Sequence, residues 1–169
     1  MKCKICKSKF EAKFPFQKTC FNTECILTYS KQIINEKRKA KHKKIKEGLK
    51  TRSDHLNELQ TIFNKWIRLR DAGSNCISCC KPCKKENAGH YRSVGGNPEL
   101  RFEPLNVHLQ CEYCNTYLHG NLINYRINLI KKIGIEQVEW LEGKHELKKY
   151  SVEEIKVLKI VYKEKISKL

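Results

Sequence analysis

Two CxxC pairs, Cys76-x-x-Cys79 and Cys111-x-x-Cys114, stand about thirty residues apart in this chain. Each pair can set two thiolates on a tight knuckle, and four such soft ligands close one tetrahedral Zn²⁺ site. A purely structural site needs only turns between its knuckles. Here the intervening segment carries Ala88-Gly89-His90-Tyr91-Arg92 and then Asn106-Val107-His108, and Asn115 directly follows the last cysteine. Histidine and amide side chains grouped in this way are the residue types of a nuclease centre.

The charge balance points the same way. Thirty-five Lys and Arg against eighteen Asp and Glu give a formal net charge of +17 over 169 residues. Such an excess favours a polyanionic partner through phosphate contacts and counterion release, so nucleic acid leads, with a solvated basic surface as the plain alternative. No apolar run reaches membrane-spanning length, and Met1-Lys2-Cys3-Lys4 lacks the apolar core of a secretory signal. A cytoplasmic protein without a membrane partner is the expectation. Its ten cysteines are then metal ligands before they are disulfides.

A second group of four cysteines, Cys3, Cys6, Cys20 and Cys25, opens the chain, with Phe10, Phe14 and Phe16 inside its loop. This suits a small zinc ribbon or knuckle whose short strands are held by metal and a few aromatic rings. The following stretch crowds Lys37, Arg38, Lys39, Lys41, Lys43, Lys44 and Lys46 together with no proline. That composition predicts a basic helix or linker that tracks phosphates. After Thr51-Arg52-Ser53-Asp54, which reads as a helix start, Leu56, Leu59, Ile62, Phe63, Trp66, Ile67 and Leu69 recur at helical spacing and form a packing stripe. Asp71-Ala72-Gly73-Ser74-Asn75 ends it.

From Cys76 to Tyr117 the turn residues Pro82, Gly89, Gly95-Gly96-Asn97-Pro98 and Pro104 leave room for two short strands, a wide loop and a helix starting near Cys114. Such a ββα unit sets a strand histidine beside an asparagine at the helix start. Further on, Leu122, Ile123, Ile127, Leu129, Ile130 and Ile133 predict a helical packing face stopped by Gly134, with a short element from Ile135 to Leu141. Ser151-Val152-Glu153-Glu154 is a capping box that opens a last helix with Ile155, Leu158, Val161, Tyr162 and Ile166. These helices complete the core and are also compatible with a homodimer seam.

Cys76-Ile77-Ser78-Cys79, Ala88-Gly89-His90-Tyr91-Arg92, Leu100-Arg101-Phe102, Asn106-Val107-His108, Gln110-Cys111, Cys114-Asn115, Gly120-Asn121-Leu122 and Tyr125-Arg126 together resemble the lambdoid-phage NinG family, also called Rap recombinases. The order of cysteine module, basic linker and C-terminal helices is also similar, so the resemblance covers nearly the whole chain. It implies a variant of the HNH, or ββα-metal, nucleases that cuts branched DNA such as Holliday junctions and D-loops, in the company of other recombination proteins of a phage or prophage.

Carried over residue by residue, the resemblance makes His90 the general base, for which an imidazole with an ordinary pKa of about 6.5 is suited. It makes Asn106 the residue that holds the His90 loop in register. Asn115 would offer a carbonyl oxygen to Mg²⁺ or Mn²⁺, hard cations that prefer oxygen. Many HNH enzymes have an acidic ligand just before the base, where this chain has Gly89. A second ligand must then come from elsewhere; His108 is the first choice, its alternative role being structural, with Asn87, Glu103 and His119 behind it. The resemblance also selects Cys76 and Cys79 over the competing pair Cys80-Lys81-Pro82-Cys83. Arg92, Arg101 and Arg126 are candidate phosphate contacts, or else intradomain ion pairs.

The expected fold is α+β: a zinc-bound ββα-metal core with flanking helices and a small N-terminal zinc module. The expected domains are a four-cysteine zinc module over 1–30, a basic linker over 31–52 and a nuclease domain over 53–169. The expected cofactors are two structural Zn²⁺ ions and one catalytic Mg²⁺ or Mn²⁺. A non-catalytic zinc DNA-binding adaptor is the alternative, raised by Gly89, and a less structure-selective nicking enzyme is a third.

Overall fold

A computed structural model describes residues 1–169. The chain divides into two compact units, Met1–Lys50 and Thr51–Leu169. No helix is long and apolar enough to cross a membrane.

In the first unit the chain doubles back through one antiparallel bridge between Lys2 and Lys9. Backbone bonds from Cys3 N–H to the Ser8 carbonyl and from Phe10 N–H to the Met1 carbonyl, each 2.9 Å, close the knuckle. The interior is made of sulfur: Cys3 and Cys25 are buried, whereas Phe14 and Phe16 point into solvent. The expectation that aromatic rings hold this module is therefore corrected for Phe14 and Phe16, while Phe10 is half-buried. A loop this short, closed around four sulfurs that lie within 4.8 Å of one another, leaves no interior for the rings of Phe14 and Phe16.

Asn22 caps α1 (Thr23–Gly48), its side-chain oxygen accepting from the N–H groups of Glu24 and Cys25 at 2.9 and 3.3 Å. The cap thus orients the fourth cysteine of the module in the first turn of the helix. Cys25 is the only buried residue of α1. Lys37, Arg38, Lys39, Lys41, Lys43, Lys44 and Lys46 are all exposed along it.

The second unit starts with α2 (Arg52–Arg70), closed at its N-terminus by a capping box between Thr51 and Asp54. A two-stranded antiparallel hairpin follows, β1 (Glu86–His90) and β2 (Val107–Cys111), with Gly89 opposite His108 and His90 opposite Val107. Short 3₁₀ turns at Pro98–Leu100 and Pro104–Asn106 shape the wide connection between the strands. After β2 the chain makes one π-type turn, Tyr113–Tyr117. The expected helix near Cys114 is that turn, and the regular helix α3 starts later, at Leu122–Ile133, followed by α4 (Ile135–Glu142) and α5 (Val152–Ser167). Ser151 and Glu154 form the expected capping box of α5.

Two apolar clusters hold the hairpin. One joins α2 and α5 through Leu59, Phe63, Trp66, Ile67, Ile155 and Tyr162, and reaches Phe102 and Val107. The other gathers Ile77, Tyr91, Leu100, Tyr125, Leu129, Val138 and Leu141. The buried face of α3 is thus centred on Tyr125 and Leu129, while Ile123 is 80% exposed and Leu122 and Ile127 are about half exposed. The apolar face predicted for α3 is wider than the buried one, because Tyr125 takes the central contact on the hairpin.

Phe63 is fully buried, its ring centroid 4.9 Å from Tyr162, 5.6 Å from Phe102 and 5.9 Å from Trp66. Phe63→Ala should cost about 3–5 kcal/mol of unfolding free energy in urea titrations of zinc-loaded protein. A cost below about 1 kcal/mol would contradict this core.

Candidate metal clusters and the His90 hairpin

The sulfurs of Cys76, Cys79, Cys111 and Cys114 lie within 4.8 Å of one another, as do those of Cys3, Cys6, Cys20 and Cys25. The Cys79–Cys111 and Cys6–Cys20 Sγ distances are 3.9 and 3.8 Å. A tetrahedron with Zn–S bonds of about 2.3 Å has edges of about 3.8 Å, so both clusters fit zinc. Burial raises the Cys76 thiol, but backbone N–H groups of Cys79, Cys111 and Ser78 outweigh it and bring it down to about 7. Cys3 falls to about 6 in the same way, whereas burial and neighbouring thiols push Cys114 and Cys25 up to about 12. Four thiolates at such distances repel, and a divalent cation is what allows all four to ionise together. Cys80 and Cys83 stand outside the four: Cys80 is exposed at φ 56°, and burial pushes the Cys83 thiol up to about 11.

The cluster that includes Cys111 and Cys114 pins the open end of the hairpin, and His90 ends β1 at the other. Its Nε2 is 3.0 Å from the Arg101 carbonyl. A carbonyl only accepts, so Nε2 carries the proton and Nδ1 keeps its lone pair. Burial lowers the His90 pKa, the Arg101 carbonyl opposes that, and the Arg101 charge adds to it; the net shift is downward. The imidazole is neutral at pH 7.

Asn106 has no exposed surface. Its Oδ1 accepts from Arg92 N–H at 2.7 Å, and its Nδ2 donates to the carbonyls of Arg92 at 3.0 Å and Leu100 at 3.1 Å. Its own carbonyl accepts from Tyr91 N–H at 2.8 Å. One side chain therefore ties the segment just after His90 to the turn before β2.

Gly89 is explained by packing. An ideal Cβ placed on it would lie 2.1 Å from Gln110 Oε1, so no side chain fits. Gln110 is itself fully buried, donating from Nε2 to the Ser78 hydroxyl and the Gly120 carbonyl at 2.6 Å each. Its Oε1 is buried with no hydrogen-bond partner. On the next helix, Tyr125 donates its hydroxyl to the Gly89 carbonyl at 2.9 Å.

His108, expected as the second catalytic-metal ligand, is committed to the protein. It is 3% exposed, with Nδ1 3.0 Å from an Arg70 guanidinium nitrogen and Nε2 3.1 Å from the Leu105 carbonyl. Both ring nitrogens are taken, which leaves none for a cation and makes the residue structural. The same cluster holds Asp71, whose carboxylate accepts from Arg70 at 2.8 Å twice and from Leu109 N–H at 2.9 Å. Arg70 also donates to the carbonyls of Pro104 and Val107. Burial alone would raise the Asp71 carboxyl, but His108, Arg70 and the Leu109 N–H hold it well below the usual carboxylate range. Of the weaker ligand options, Glu103 caps its own turn through Leu105 N–H, and His119 is exposed at φ 47°. Asn87 sits on β1 opposite Gln110.

The three arginines differ. The Arg126 fork is occupied by Glu142, at 2.7 and 3.0 Å, and Glu142 also accepts from the Tyr91 hydroxyl. Arg101 donates from Nε to Gln60 at 2.8 Å and lies over the Phe102 ring. Arg126 serves the domain rather than free phosphate, because paired acceptors already meet its planar donors, whereas Arg101 has a single acceptor on Nε. Arg92 has only a 3.4 Å contact with Asn97. Asn115 is half-buried in the π-type turn, where Tyr113 and Tyr117 stand exposed with ring centroids 6.1 Å apart.

The family model described as Bacteriophage Lambda NinG protein matches residues 1–169. The chain belongs to the NinG family. Protein ninG of Escherichia phage 933W is 36% identical over 186 aligned residues, covering 99% of this chain and 92% of that relative. Protein ninG of Escherichia phage lambda is 40% identical over 125 residues, 73% of this chain and 61% of that relative. The Salmonella phage P22 protein ninG is also 40% identical, over 73% of this chain and 62% of its own length. No solved structure matches the chain.

Two expectations follow for this NinG-family chain. Metal analysis should find two zinc ions per chain, falling to one in Cys111→Ser; an unchanged content in that variant would contradict the second cluster. Burial holds His90 and His108 below the ordinary histidine value. The unfolded chain therefore takes up these protons first as pH falls, so stability is complete above about pH 6.5 and declines below it. The urea midpoint should drop between about pH 7 and about pH 5.5, less steeply in His108→Gln, and a midpoint that rises on acidification would contradict the assignment.

Proposed function

We propose that this chain is a divalent-metal-dependent endonuclease that cuts branched DNA by HNH-like chemistry, with His90 as the general base. The observation that carries the reading is the state of His90: a neutral imidazole at the end of a strand, its Nε2–H held by the Arg101 carbonyl and its Nδ1 lone pair unused. Such a group can accept the proton of an attacking water. The Arg101 carbonyl then supports the imidazolium, because it keeps the Nε2–H bond while positive charge develops. Asn106 contributes by fixing the backbone that follows the base, and a base misplaced by about 1 Å loses much of its effect.

Asn115 and, behind it, Asn87 are the amide oxygens left for Mg²⁺ or Mn²⁺ once His108 is excluded, both half-buried where Gln110 is sealed inside. A bound divalent ion supplies charge neutralisation at the scissile phosphate and at the leaving 3′ oxygen, giving a 5′ phosphate and a 3′ hydroxyl. These donors are uncharged, so the DNA phosphates must complete the coordination. The zinc clusters act as scaffold in this reading. The exposed lysines of α1 and the available guanidinium of Arg92 supply phosphate contacts. Gly89 has a packing reason of its own, since Gln110 fills the space where a side chain would stand.

The test is cleavage of end-labelled four-way junctions, D-loops and linear duplex in one salt with Mg²⁺ or Mn²⁺, beside His90→Ala. The variant should keep its zinc and its DNA binding and lose at least about a hundredfold in rate. Tight binding of branched DNA with no cutting by the wild type in either metal would sink the nuclease and leave a zinc-containing adaptor.

A further inference from the structure

The first unit carries a feature that its own folding does not use. Phe14, Pro15, Phe16 and Gln17 form a tight turn, closed by Gln17 N–H to the Phe14 carbonyl at 3.3 Å, with Phe16 at φ 63°. That third turn position favours glycine, because a Cβ there crowds the backbone. Here it holds a phenylalanine that is 88% exposed, next to Phe14 at 65%. Strained backbone and solvated aromatic surface are both unfavourable, and neither ring contributes to the packing of the cysteine cluster.

The turn is braced. Gln17 Oε1 accepts from Lys13 N–H at 3.0 Å, its Nε2 donates to the Thr19 carbonyl at 2.8 Å, and the Lys18 carbonyl accepts from Lys4 N–H at 2.9 Å. The rings are therefore presented on a fixed platform, with Lys13 and Lys18 flanking the turn along the chain and both exposed. Ahead of α1 the chain has six lysines against the single acid Glu11. The partner must combine dense negative charge with a flat apolar slot, and a nucleic acid whose bases have come apart offers both. Phenylalanine inserts between base steps and stacks on unpaired bases, whereas an intact duplex must first be unstacked to admit it.

We propose that Phe14 and Phe16 form an aromatic wedge that stacks on unstacked bases of branched DNA. The inference rests on the DNA-binding part of the reading above and not on cleavage. It assigns to the N-terminal cysteine unit the recognition of open bases, which α1 with its phosphate-directed lysines cannot provide.

The test uses the full, zinc-loaded chain without Mg²⁺ or Mn²⁺, and a four-way junction carrying 2-aminopurine at the branch point. Wild type and His90→Ala should both alter the 2-aminopurine fluorescence at the branch and leave it unchanged in linear duplex. The double variant Phe14→Ser/Phe16→Ser should lose that signal and bind the junction at least about tenfold more weakly, while its affinity for linear duplex stays within about twofold. Phe16→Gly should keep its zinc and its melting temperature or raise it, since glycine suits the turn, yet weaken the fluorescence change. An undiminished signal and junction affinity in the double variant would overturn the wedge. So would loss of zinc in Phe16→Gly, which would make the ring structural. Binding to phosphatidylserine vesicles that is lost in the double variant while the junction signal persists would overturn it in favour of a membrane. A chain that shows the signal but never cuts would fail as a nuclease and keep the wedge.

Discussion

The buried Asp71 carboxylate at the end of α2 is the hinge of the second unit. Asp71 caps the helix, accepts from Arg70 and from the Leu109 N–H of β2, and lies 3.7 Å from His108 and 3.5 Å from Lys132. Arg70 then reaches the carbonyls of Pro104 and Val107, which fixes the connection just ahead of β2. A buried carboxylate without these donors would be strongly destabilising, so helix, hairpin and connecting loop are interdependent. Removing any one partner leaves a charge or a carbonyl unsatisfied.

On that base the hairpin is tuned by close packing. Gln110 fills the space beside Gly89 and also ties the first cysteine knuckle, through Ser78, to the turn before α3, through Gly120. Tyr125 anchors the same strand from α3. Asn106 secures the opposite end by four hydrogen bonds to its neighbours. His90 stands between a strand clamped by side chains and a loop clamped by one amide, and its ring state follows from that placement.

Some of this was legible in the sequence because its signals are local. Cysteine spacing marked both clusters, and Thr51 with Asp54 and Ser151 with Glu154 marked two helix starts through side chains that bond to nearby backbone. The rest depends on contacts between residues far apart. Asp71 read as a helix stop, since nothing near it announces Leu109 or His108. His108 looked available as a ligand until Arg70, thirty-eight residues away, occupied its Nδ1. Arg126 read equally as a phosphate contact or an ion pair until Glu142 filled its fork. Phe14 and Phe16 matched an interior pattern by composition, but the small volume of a four-sulfur loop excluded them.

The central claim, that a neutral His90 is the reacting base of this NinG-family chain, is tested most directly by the pH dependence of single-turnover cleavage of a four-way junction in Mg²⁺. The account predicts a rate that rises through an apparent pKa below about 6.5, is level by about pH 7, and loses that rise in His90→Ala. A rise centred well above about pH 7, or the same profile at a similar rate in the variant, would contradict it.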